Sequence, residues 1–286
     1  MAPVPFLMPA LVTTFDEEGE IDFDAHRRNL GELRKQGIEG FLIAGSTGEG
    51  PYLEPGERAA LVQVARAKLG KEAYLTCGVA AETVRQAQAM IKEATAGADS
   101  VLVITPTTLT RNRPRYVESY YLELAESSPL PLLLYSVPAV TAFELPDDIV
   151  ARLAEHENIV GIKGSGGHPV RVQRILAEVT EDFMVFTGST QAVTLAIAAG
   201  SYGAITASTN YMAKRVLETV TTARNDPIKA RALQLEISRV SAAVESYGVP
   251  GIKYMMARAG LSPGFPRAPL AVLDESQQTG LAALLA

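Results

Sequence analysis

The chain has few of the residues on which disulfide and metal chemistry depend. Its 286 residues include one cysteine, three histidines and no tryptophan. A single cysteine, Cys77, excludes an intrachain disulfide, so a reducing compartment such as the cytoplasm is the expected location. The histidines His26, His156 and His168 lie in or beside helical segments, where a surface role is expected. Since no Cys/His cluster has ligand spacing, no metal site is predicted.

Positive charge and long apolar runs are also lacking. The formal net charge is -6, so the basic face that nucleic-acid binding requires is not expected. No apolar run is long enough to span a bilayer. The apolar N-terminus is interrupted by prolines and has no charged n-region, so we interpret it as leading into a strand rather than as a signal peptide.

Short apolar segments rich in Val, Ile and Leu recur along the chain at the spacing of βα units, on the order of 20–35 residues. Their continuous apolar character is typical of parallel strands that are covered on both faces. The predicted strands are Ala10–Thr13, Gly40–Ala44, Tyr74–Val79, Ser100–Thr105, Pro131–Val137, Ile159–Lys163, Met184–Thr187 and Ala204–Ala207.

Segments with helical periodicity lie between these strands, and Asp22 and Asp24 suggest a cap for the first of them. The predicted helices are Phe23–Lys35, Glu57–Ala67, Thr83–Ala94, Pro114–Glu126, Pro146–His156, Pro169–Val179 and Gln191–Ala199. Eight strand–helix repeats without a GxGxxG sequence after the first strand favour a closed α/β (β/α)₈ TIM barrel over an open dinucleotide-binding sheet.

The last part of the chain is predicted to be helical, with breaks near Gly248–Gly251 and Gly260–Pro269. It contains more helix than an eighth βα unit needs, and no long linker precedes it. We therefore predict a barrel over residues 1–223 and a C-terminal helical extension over residues 224–286 that is not an independent domain.

Lys163 is the most informative polar residue, because it ends an apolar strand and active sites of such barrels lie at the strands' C-terminal ends. Ile159, Gly161 and Lys163 alternate onto one face, and Gly161 would leave room beneath the lysine. A lysine in the barrel interior loses hydration of its charged form, which makes the neutral amine available as a nucleophile toward a ketone. The alternative is a lysine that reaches solvent or pairs with a carboxylate.

Tyr135 ends the preceding strand and could supply the proton shuttle that carbinolamine chemistry needs, although a buried structural tyrosine fits equally well. The turn Gly45–Gly50 offers backbone amides and two hydroxyls, which suit a carboxylate or a phosphate. The turn Gly164–Gly167 is a further candidate phosphate cradle. Glycines at such turns can also serve backbone geometry alone.

Three motifs together, Gly45-Ser46-Thr47-Gly48-Glu49, Tyr135-Ser136-Val137-Pro138 and Gly161-Ile162-Lys163, resemble the dihydrodipicolinate synthase / N-acetylneuraminate lyase family of class I pyruvate aldolases. The resemblance covers nearly the whole chain. It implies a (β/α)₈ barrel with C-terminal helices, a Schiff-base lysine, no metal or organic cofactor, and a homotetramer built as a dimer of dimers.

The resemblance also implies roles for particular residues. Lys163 forms the Schiff base, Tyr135 shuttles protons, and Ser46 occupies the position of the relay hydroxyl. Thr47 and the backbone amides of the turn that Gly45 opens bind the carboxylate of pyruvate. Two further positions that match the lining of the family's pocket are Gly188 and Ile205.

The chain departs from the synthase pattern at two places. Val140 stands where synthases carry the arginine that binds the carboxylate of the aldehyde, and an apolar side chain cannot replace a bidentate clamp. Thr107-Thr108 replaces a tyrosine pair, one member of which reaches the neighbouring subunit's site. The interchain tyrosine of the synthases is therefore absent from this chain, and its proton relay requires a different group.

Other segments resemble the 4-hydroxy-2-oxoglutarate aldolase branch, in which the serine that matches Ser165 lies in the active site. These are the sequences around Leu134–Ala139, Lys163–Gly167 and Arg267–Leu270. We therefore expect a lyase that cleaves a 4-hydroxy-2-oxo acid, such as 4-hydroxy-2-oxoglutarate, to pyruvate and a small aldehyde. The alternatives are dihydrodipicolinate synthase, which joins pyruvate to aspartate semialdehyde, and a non-catalytic barrel that binds a 2-oxo acid or phosphate.

Overall fold

A computed structural model describes residues 2–285 and contains an eight-stranded parallel barrel. The strands follow one another in chain order around the barrel. Closure between the first and second strands comes from the Ala10–Leu42 bridge and a hydrogen bond from the Leu11 amide to the Leu42 carbonyl (2.9 Å). The strands are β1 (Leu7–Pro9), β2 (Gly40–Ile43), β3 (Tyr74–Val79), β4 (Ser100–Ile104), β5 (Leu132–Ser136), β6 (Ile159–Gly164), β7 (Met184–Thr187) and β8 (Gly203–Thr206).

Helices alternate with the strands and continue beyond the last of them. Asp22 caps the first helix as predicted, because its carboxylate accepts a hydrogen bond from the Ala25 amide at 2.9 Å. The helices are α1 (Phe23–Lys35), α2 (Glu57–Leu69), α3 (Val84–Ala94), α4 (Pro114–Ser127), α5 (Pro138–Thr141), α6 (Asp147–Leu153), α7 (Pro169–Leu176), α8 (Val193–Ala198), α9 (Thr209–Asn225), α10 (Arg231–Glu245), α11 (Gly248–Arg258) and α12 (Glu275–Leu285).

The predicted (β/α)₈ barrel with C-terminal helices is confirmed, and most elements agree within a few residues. The first strand is the largest difference, since it lies at Leu7–Pro9 rather than at Ala10–Thr13. Leu7 pairs with Ala204 of β8, while Thr13 has left the sheet and donates its hydroxyl to the Gly48 carbonyl at 2.6 Å. The prolines near the N-terminus therefore mark the bounds of β1, and they do not prevent its pairing with β8.

Two apolar layers enclose the strands. An outer layer joins the strands to the surrounding helices and includes Ile159 and Ile162. The inner layer fills the barrel; it consists of Met8, Ala10, Leu42, Tyr74, Leu102, Ile104, Leu133, Tyr135, Val137, Phe186 and Ile205. A packed interior leaves only the strand ends available for chemistry.

The C-terminal helices form a separate apolar cluster against one side of the barrel mouth. Val12 and Tyr211 contribute to this cluster from the barrel, and Val244, Ile252 and Met256 are among the residues that join it from α10 and α11. Gly248–Gly251, predicted as a break, is the start of α11. No helix within residues 2–285 has the length and apolar character needed to cross a membrane.

Candidate active site

Lys163 lies near the end of β6 with its side chain turned into the barrel. It aligns with Tyr135 of β5 and Phe186 of β7, which both belong to the inner layer. The residue is 5% exposed, so the amine does not extend into solvent. A lysine at this depth matches the position that the sequence predicted for a nucleophile.

The geometry of β6 differs from simple alternation. The β5–β6 register shifts between Ile159 and Gly161, so that Ile159 packs outward with Ile162 while Gly161 and Lys163 remain paired with inner-layer residues. The prediction that Ile159 shares a face with Lys163 is therefore wrong, because a bulge at Val160 changes the phase of the strand. Gly161 also has a different role from that predicted: a Cβ there would overlap the Met184 carbonyl oxygen and lie 2.9 Å from Leu133 Cδ2.

Tyr135 is brought directly against the lysine. The Lys163 Nζ lies 4.3 Å from the centre of the Tyr135 ring, which is within the range of a cation–π contact. Tyr135 is only 6% exposed. The phenol and the amine thus share one enclosed space at the ends of β5 and β6.

Gly188 and Ser165 join this group from the ends of β7 and β6. A Cβ on Gly188 would overlap Ser165 Oγ and lie 2.9 Å from Lys163 Cε. The Gly188 amide donates to the Gly164 carbonyl at 2.7 Å, and the Ser165 amide donates to the Ser136 carbonyl at 2.9 Å. Glycine at position 188 is therefore required for the lysine and the serine to occupy their places.

Ser46, Thr47 and Gly45 lie across the barrel mouth, in the turn after β2, which we call the β2 turn (Gly45–Gly50). Ser46 and Thr47 are half-buried. Two non-glycine residues next to or within the turn, Ala44 and Glu49, have left-handed backbone conformations, both with φ of 55°. Such conformations persist only where the surroundings hold them.

The C-terminal segment provides that support. Lys253 Nζ forms an ion pair with Glu49 Oε1 at 2.7 Å, and both side chains are at most 3% exposed. The Arg267 amide donates to Glu49 Oε2 at 2.7 Å, and the Arg267 guanidinium is bidentate to Glu57 at 2.6 and 2.7 Å. No local sequence pattern marks Glu49, Lys253 or Arg267 as support for the site.

Ile205 is fully buried in the inner layer, where it aligns with Met8 of β1. It belongs to the floor of the barrel mouth. The structure thus groups Lys163, Tyr135, Ser165 and Gly188 closely, with Ile205 in the layer beneath and the β2 turn on the opposite side.

The two positions at which the sequence departs from the synthase pattern follow β4 and β5. Val140, in the short helix α5, is 64% exposed. Glu82 holds the segment that replaces the tyrosine pair, since its carboxylate accepts hydrogen bonds from the Thr107 and Thr108 amides and from the Thr107 hydroxyl at 2.6–3.2 Å. Partial burial opposes ionisation of Glu82, but these hydrogen bonds outweigh it and lower the pKa of the carboxyl.

Glu245 is a candidate functional residue that sequence reasoning missed. It ends α10 and accepts a hydrogen bond from the Thr190 hydroxyl at 3.3 Å. Burial raises the pKa of Glu245 to about 7, although the Thr190 hydrogen bond and the charge of Lys163 act in the opposite direction. In the sequence it is one more acidic residue at the end of an amphipathic helix, and only the docking of α10 brings it toward the site.

The surroundings of the β6 turn (Gly164–Gly167) disfavour a phosphate cradle. Arg171, which lies beside the turn, is ion-paired with Asp147 at 2.8 Å, and Glu144 also lies close to the turn. The cavity behind the turn is about 30 Å³, which is room for one or two water molecules. The charge of Arg171 is already paired with Asp147, and so small a cavity does not hold a phosphate.

Prediction of His26 as a surface residue is wrong. The side chain lies in α1 and is 1% exposed, and neither ring nitrogen has a hydrogen-bond partner within residues 2–285. Burial and the nearby positive charge of Arg27 lower the pKa of His26 to about 4. The amphipathic pattern of α1 places His26 on its buried face, but the polar character of histidine suggested otherwise.

Comparison with known proteins agrees with this architecture. The model of the dihydrodipicolinate synthetase family matches residues 5–286. A 4-hydroxy-tetrahydrodipicolinate synthase of Methanosarcina mazei is 31% identical over 280 residues, which cover 96% of this chain and 95% of that protein.

Solved structures give the same result. A dihydrodipicolinate synthase from Bacillus anthracis superimposes with a TM-score of 0.94 at 27% identity and covers 100% of this chain and 98% of its own. A chloride-inhibited dihydrodipicolinate synthase from Acinetobacter baumannii, complexed with pyruvate, gives 0.94 at 26% identity, with 99% and 98% covered. The chain therefore belongs to the dihydrodipicolinate synthetase family, whose members are lyases that act through a lysine Schiff base.

Proposed function

We propose that Lys163 forms a Schiff base with pyruvate, and that the resulting enamine joins or releases an aldehyde. The observation that carries this proposal is the enclosed pair of Lys163 and Tyr135, with Nζ 4.3 Å from the ring centre. Lys163 is 5% exposed and forms no ion pair with any residue in the described range. Neither snorkelling to solvent nor neutralisation by a carboxylate therefore accounts for its position.

The proposed chemistry starts from an amine that lies over the face of the Tyr135 ring. The neutral amine adds to the ketone carbon of pyruvate, and the carbinolamine loses water to give an iminium. Tyr135 and Ser46 carry the protons for addition and dehydration. Loss of a proton from the methyl group gives an enamine, whose carbon forms the new bond to an aldehyde. The reverse sequence releases the aldehyde, and water then frees pyruvate from Lys163.

For the second substrate, the comparisons favour the synthase alternative over our expectation of a 4-hydroxy-2-oxo acid aldolase. The Methanosarcina mazei relative is a 4-hydroxy-tetrahydrodipicolinate synthase, and it is similar along nearly its full length. We accordingly propose condensation of pyruvate with aspartate semialdehyde as the first activity to test.

Cleavage of 4-hydroxy-2-oxoglutarate is the second candidate, and a specific observation favours it. Val140 is exposed where synthases carry an arginine for the carboxylate of the aldehyde. Loss of a bidentate carboxylate contact costs on the order of 1.5–3 kcal/mol. The aldehyde product, glyoxylate, also has a carboxylate, but its chain is two carbons shorter than that of aspartate semialdehyde, so this group would extend less far toward Val140.

Reductive trapping tests the Schiff base. Wild-type protein is incubated with pyruvate and borohydride, and the adduct is located by peptide mass spectrometry. We expect it on Lys163, with none in Lys163→Met and none when lactate replaces pyruvate. Binding of pyruvate without an adduct on Lys163 would contradict the proposal and favour the non-catalytic, ligand-binding alternative.

An aldehyde panel then separates the two candidates. Wild type and Val140→Arg are compared with aspartate semialdehyde and with glyoxylate, each in the presence of pyruvate. Efficient turnover of aspartate semialdehyde by wild type supports the synthase. Turnover of glyoxylate alone, together with a gain of about tenfold or more for aspartate semialdehyde in Val140→Arg, supports the aldolase.

We further propose that residues 224–286 fold as part of the barrel unit and that the chain assembles as a homotetramer. The ion pair between Lys253 and Glu49 supports the first proposal. Light scattering on the purified chain tests the second, and a monomer would contradict it.

A further inference from the structure

A polar cluster at the ends of β7 and β8 has no part in the chemistry above. Thr190 Oγ1 lies 2.8 Å from Ser208 Oγ and donates to Glu245 Oε1 at 3.3 Å. Thr190 and Ser208 are at most 1% exposed. Next to them, the Tyr211 hydroxyl is buried and has no hydrogen-bond partner in the described part of the chain.

This cluster lies on the side of Lys163 that faces away from Tyr135. The strand order places β5, with Tyr135, on one side of β6 and β7 on the other. A Cβ on Gly188, just after β7, would lie 2.9 Å from Lys163 Cε, and Thr190 follows two residues later. One threonine hydroxyl therefore links the Glu245 carboxyl to the strand end that contacts the lysine.

Glu245 changes charge in the neutral range, because burial raises its pKa to about 7. From β6, the positive charge of Lys163 favours the ionised form of the Glu245 carboxyl. The Tyr211 phenol of α9 also interacts with Glu245. Burial and the negative charge of Glu245 raise the pKa of Tyr211. Glu245 forms no ion pair with any of residues 2–285, so it is not neutralised on the surface.

The other charged groups packed on α10 are paired or exposed. Arg215 of α9 is paired with Glu218 and Glu236. Helix α8 has no titratable side chain. Lys253 of α11 is bound by Glu49. Glu275 of α12 is exposed, and the Tyr247 hydroxyl between α10 and α11 faces Gly280 of α12.

We propose that Glu245 is a positioning residue that sets the charge of the Lys163 amine from across the end of β7. Its carboxylate favours the ammonium and the iminium, whereas its protonated form favours the free amine that attacks pyruvate. The inference rests on the proposed Schiff base at Lys163. It assigns to the C-terminal helices a direct electrostatic effect on the reaction.

The test is the pH profile of adduct formation. The rate at which pyruvate is trapped on Lys163 with cyanoborohydride is measured between pH 5.5 and 9 for wild type and Glu245→Gln. Because the variant lacks the negative charge, the free amine is available at lower pH, and we expect the acidic limb to move down by about one pH unit. Glu245→Asp should retain the wild-type profile, and Glu236→Gln, on the exposed part of α10, should have no effect.

Thr190→Val provides an independent variant if Glu245→Gln does not fold. Loss of the hydrogen bond raises the pKa of Glu245, so a smaller shift in the same direction is expected. Coincident profiles for wild type and whichever of these variants are folded would overturn the inference. Absence of any adduct on wild-type Lys163 would instead overturn the proposed function, so the two failures are distinguishable.

Discussion

The two glycine-rich turns at the barrel mouth, the β2 turn and the β6 turn, look alike in sequence but differ in structure. In the β2 turn, a Cβ on Gly50 would overlap the Ala44 carbonyl, and one on Gly48 would lie 2.6 Å from the Leu11 carbonyl oxygen. In the β6 turn, the nearest atom to a Cβ on Gly164 is Arg171 Nη1, at 3.6 Å. The first turn is closed by backbone contacts, whereas the neighbours of the glycines in the second are side-chain atoms.

The difference lies in what stands behind each turn. Behind the β2 turn, Lys253 and Arg267 of the C-terminal segment hold Glu49 in its left-handed conformation. Behind the β6 turn there is a cavity of about 30 Å³. Within residues 2–285, the C-terminal segment thus fixes the β2 turn and does not reach the β6 turn in the same way. Glycine content alone did not distinguish the two.

A pair of matched alanine substitutions tests most directly whether the β2 turn is more constrained than the β6 turn. Gly50→Ala is expected to lower the free energy of unfolding by more than about 4 kcal/mol, or to prevent folding, because the overlap is with backbone. Gly164→Ala should cost less than about 1 kcal/mol. Urea unfolding measures both, and similar losses in the two variants would show that the turns are equally constrained.

The second prediction concerns the ion pair behind the β2 turn. Lys253→Met leaves the Glu49 carboxylate buried without its cation, which is expected to cost about 3 kcal/mol. The double variant Glu49→Gln, Lys253→Met should lose less than the sum of the two single variants. Denaturant midpoints of the four proteins complete the cycle, and additive losses would argue against coupling through the pair.

The smallest predicted effect is a difference between His26 and Glu245 in how their contributions to the free energy of unfolding change with pH. The folded-state pKa of His26, about 4, lies below its unfolded value near 6.5, so the unfolded state binds a proton first as the pH falls. His26 should therefore lower the free energy of unfolding by about 2 kcal/mol between pH 7 and pH 5. For Glu245, whose folded pKa is raised to about 7, the sign is opposite, and stability is lost as the pH rises from about 4.5 through 7.

Urea unfolding of wild type, His26→Leu and Glu245→Gln at several pH values separates these opposing contributions. Relative to wild type, His26→Leu should become progressively more stable toward pH 5, and Glu245→Gln progressively more stable toward pH 8. Curves for His26→Leu and wild type that run parallel would mean that the histidine is protonated, or accessible to protons, in the folded state.

The sequence predicted the barrel because its signal is repeated: apolar strands of similar length at regular intervals have few other solutions. It placed Lys163 and Tyr135 at the ends of neighbouring strands, and the structure brings these side chains into contact. Their catalytic roles stay predictions. Strand periodicity could not reveal the bulge at Val160, because one extra residue leaves no compositional trace.

What the sequence could not provide depends on contacts between distant segments. Glu245, Lys253 and Arg267 lie in helices and loops whose own pattern is ordinary. Only the packing of the last helices against the barrel gives them partners. The same is true of His26, whose environment is set by the neighbours of α1 rather than by its own residue type.

The bond between the Arg267 amide and Glu49 joins residues 218 positions apart. On a growing chain, the β2 turn would be synthesised long before the residues that hold it in place. Lys163 and Tyr135 would be present on a nascent barrel in which the β2 turn still lacked the residues that support it. Contacts of such long range are slow to establish, so the β2 turn would be among the last parts of the barrel mouth to be fixed. A chain that lacked its last residues would present Lys163 and Tyr135 beside an unsupported turn.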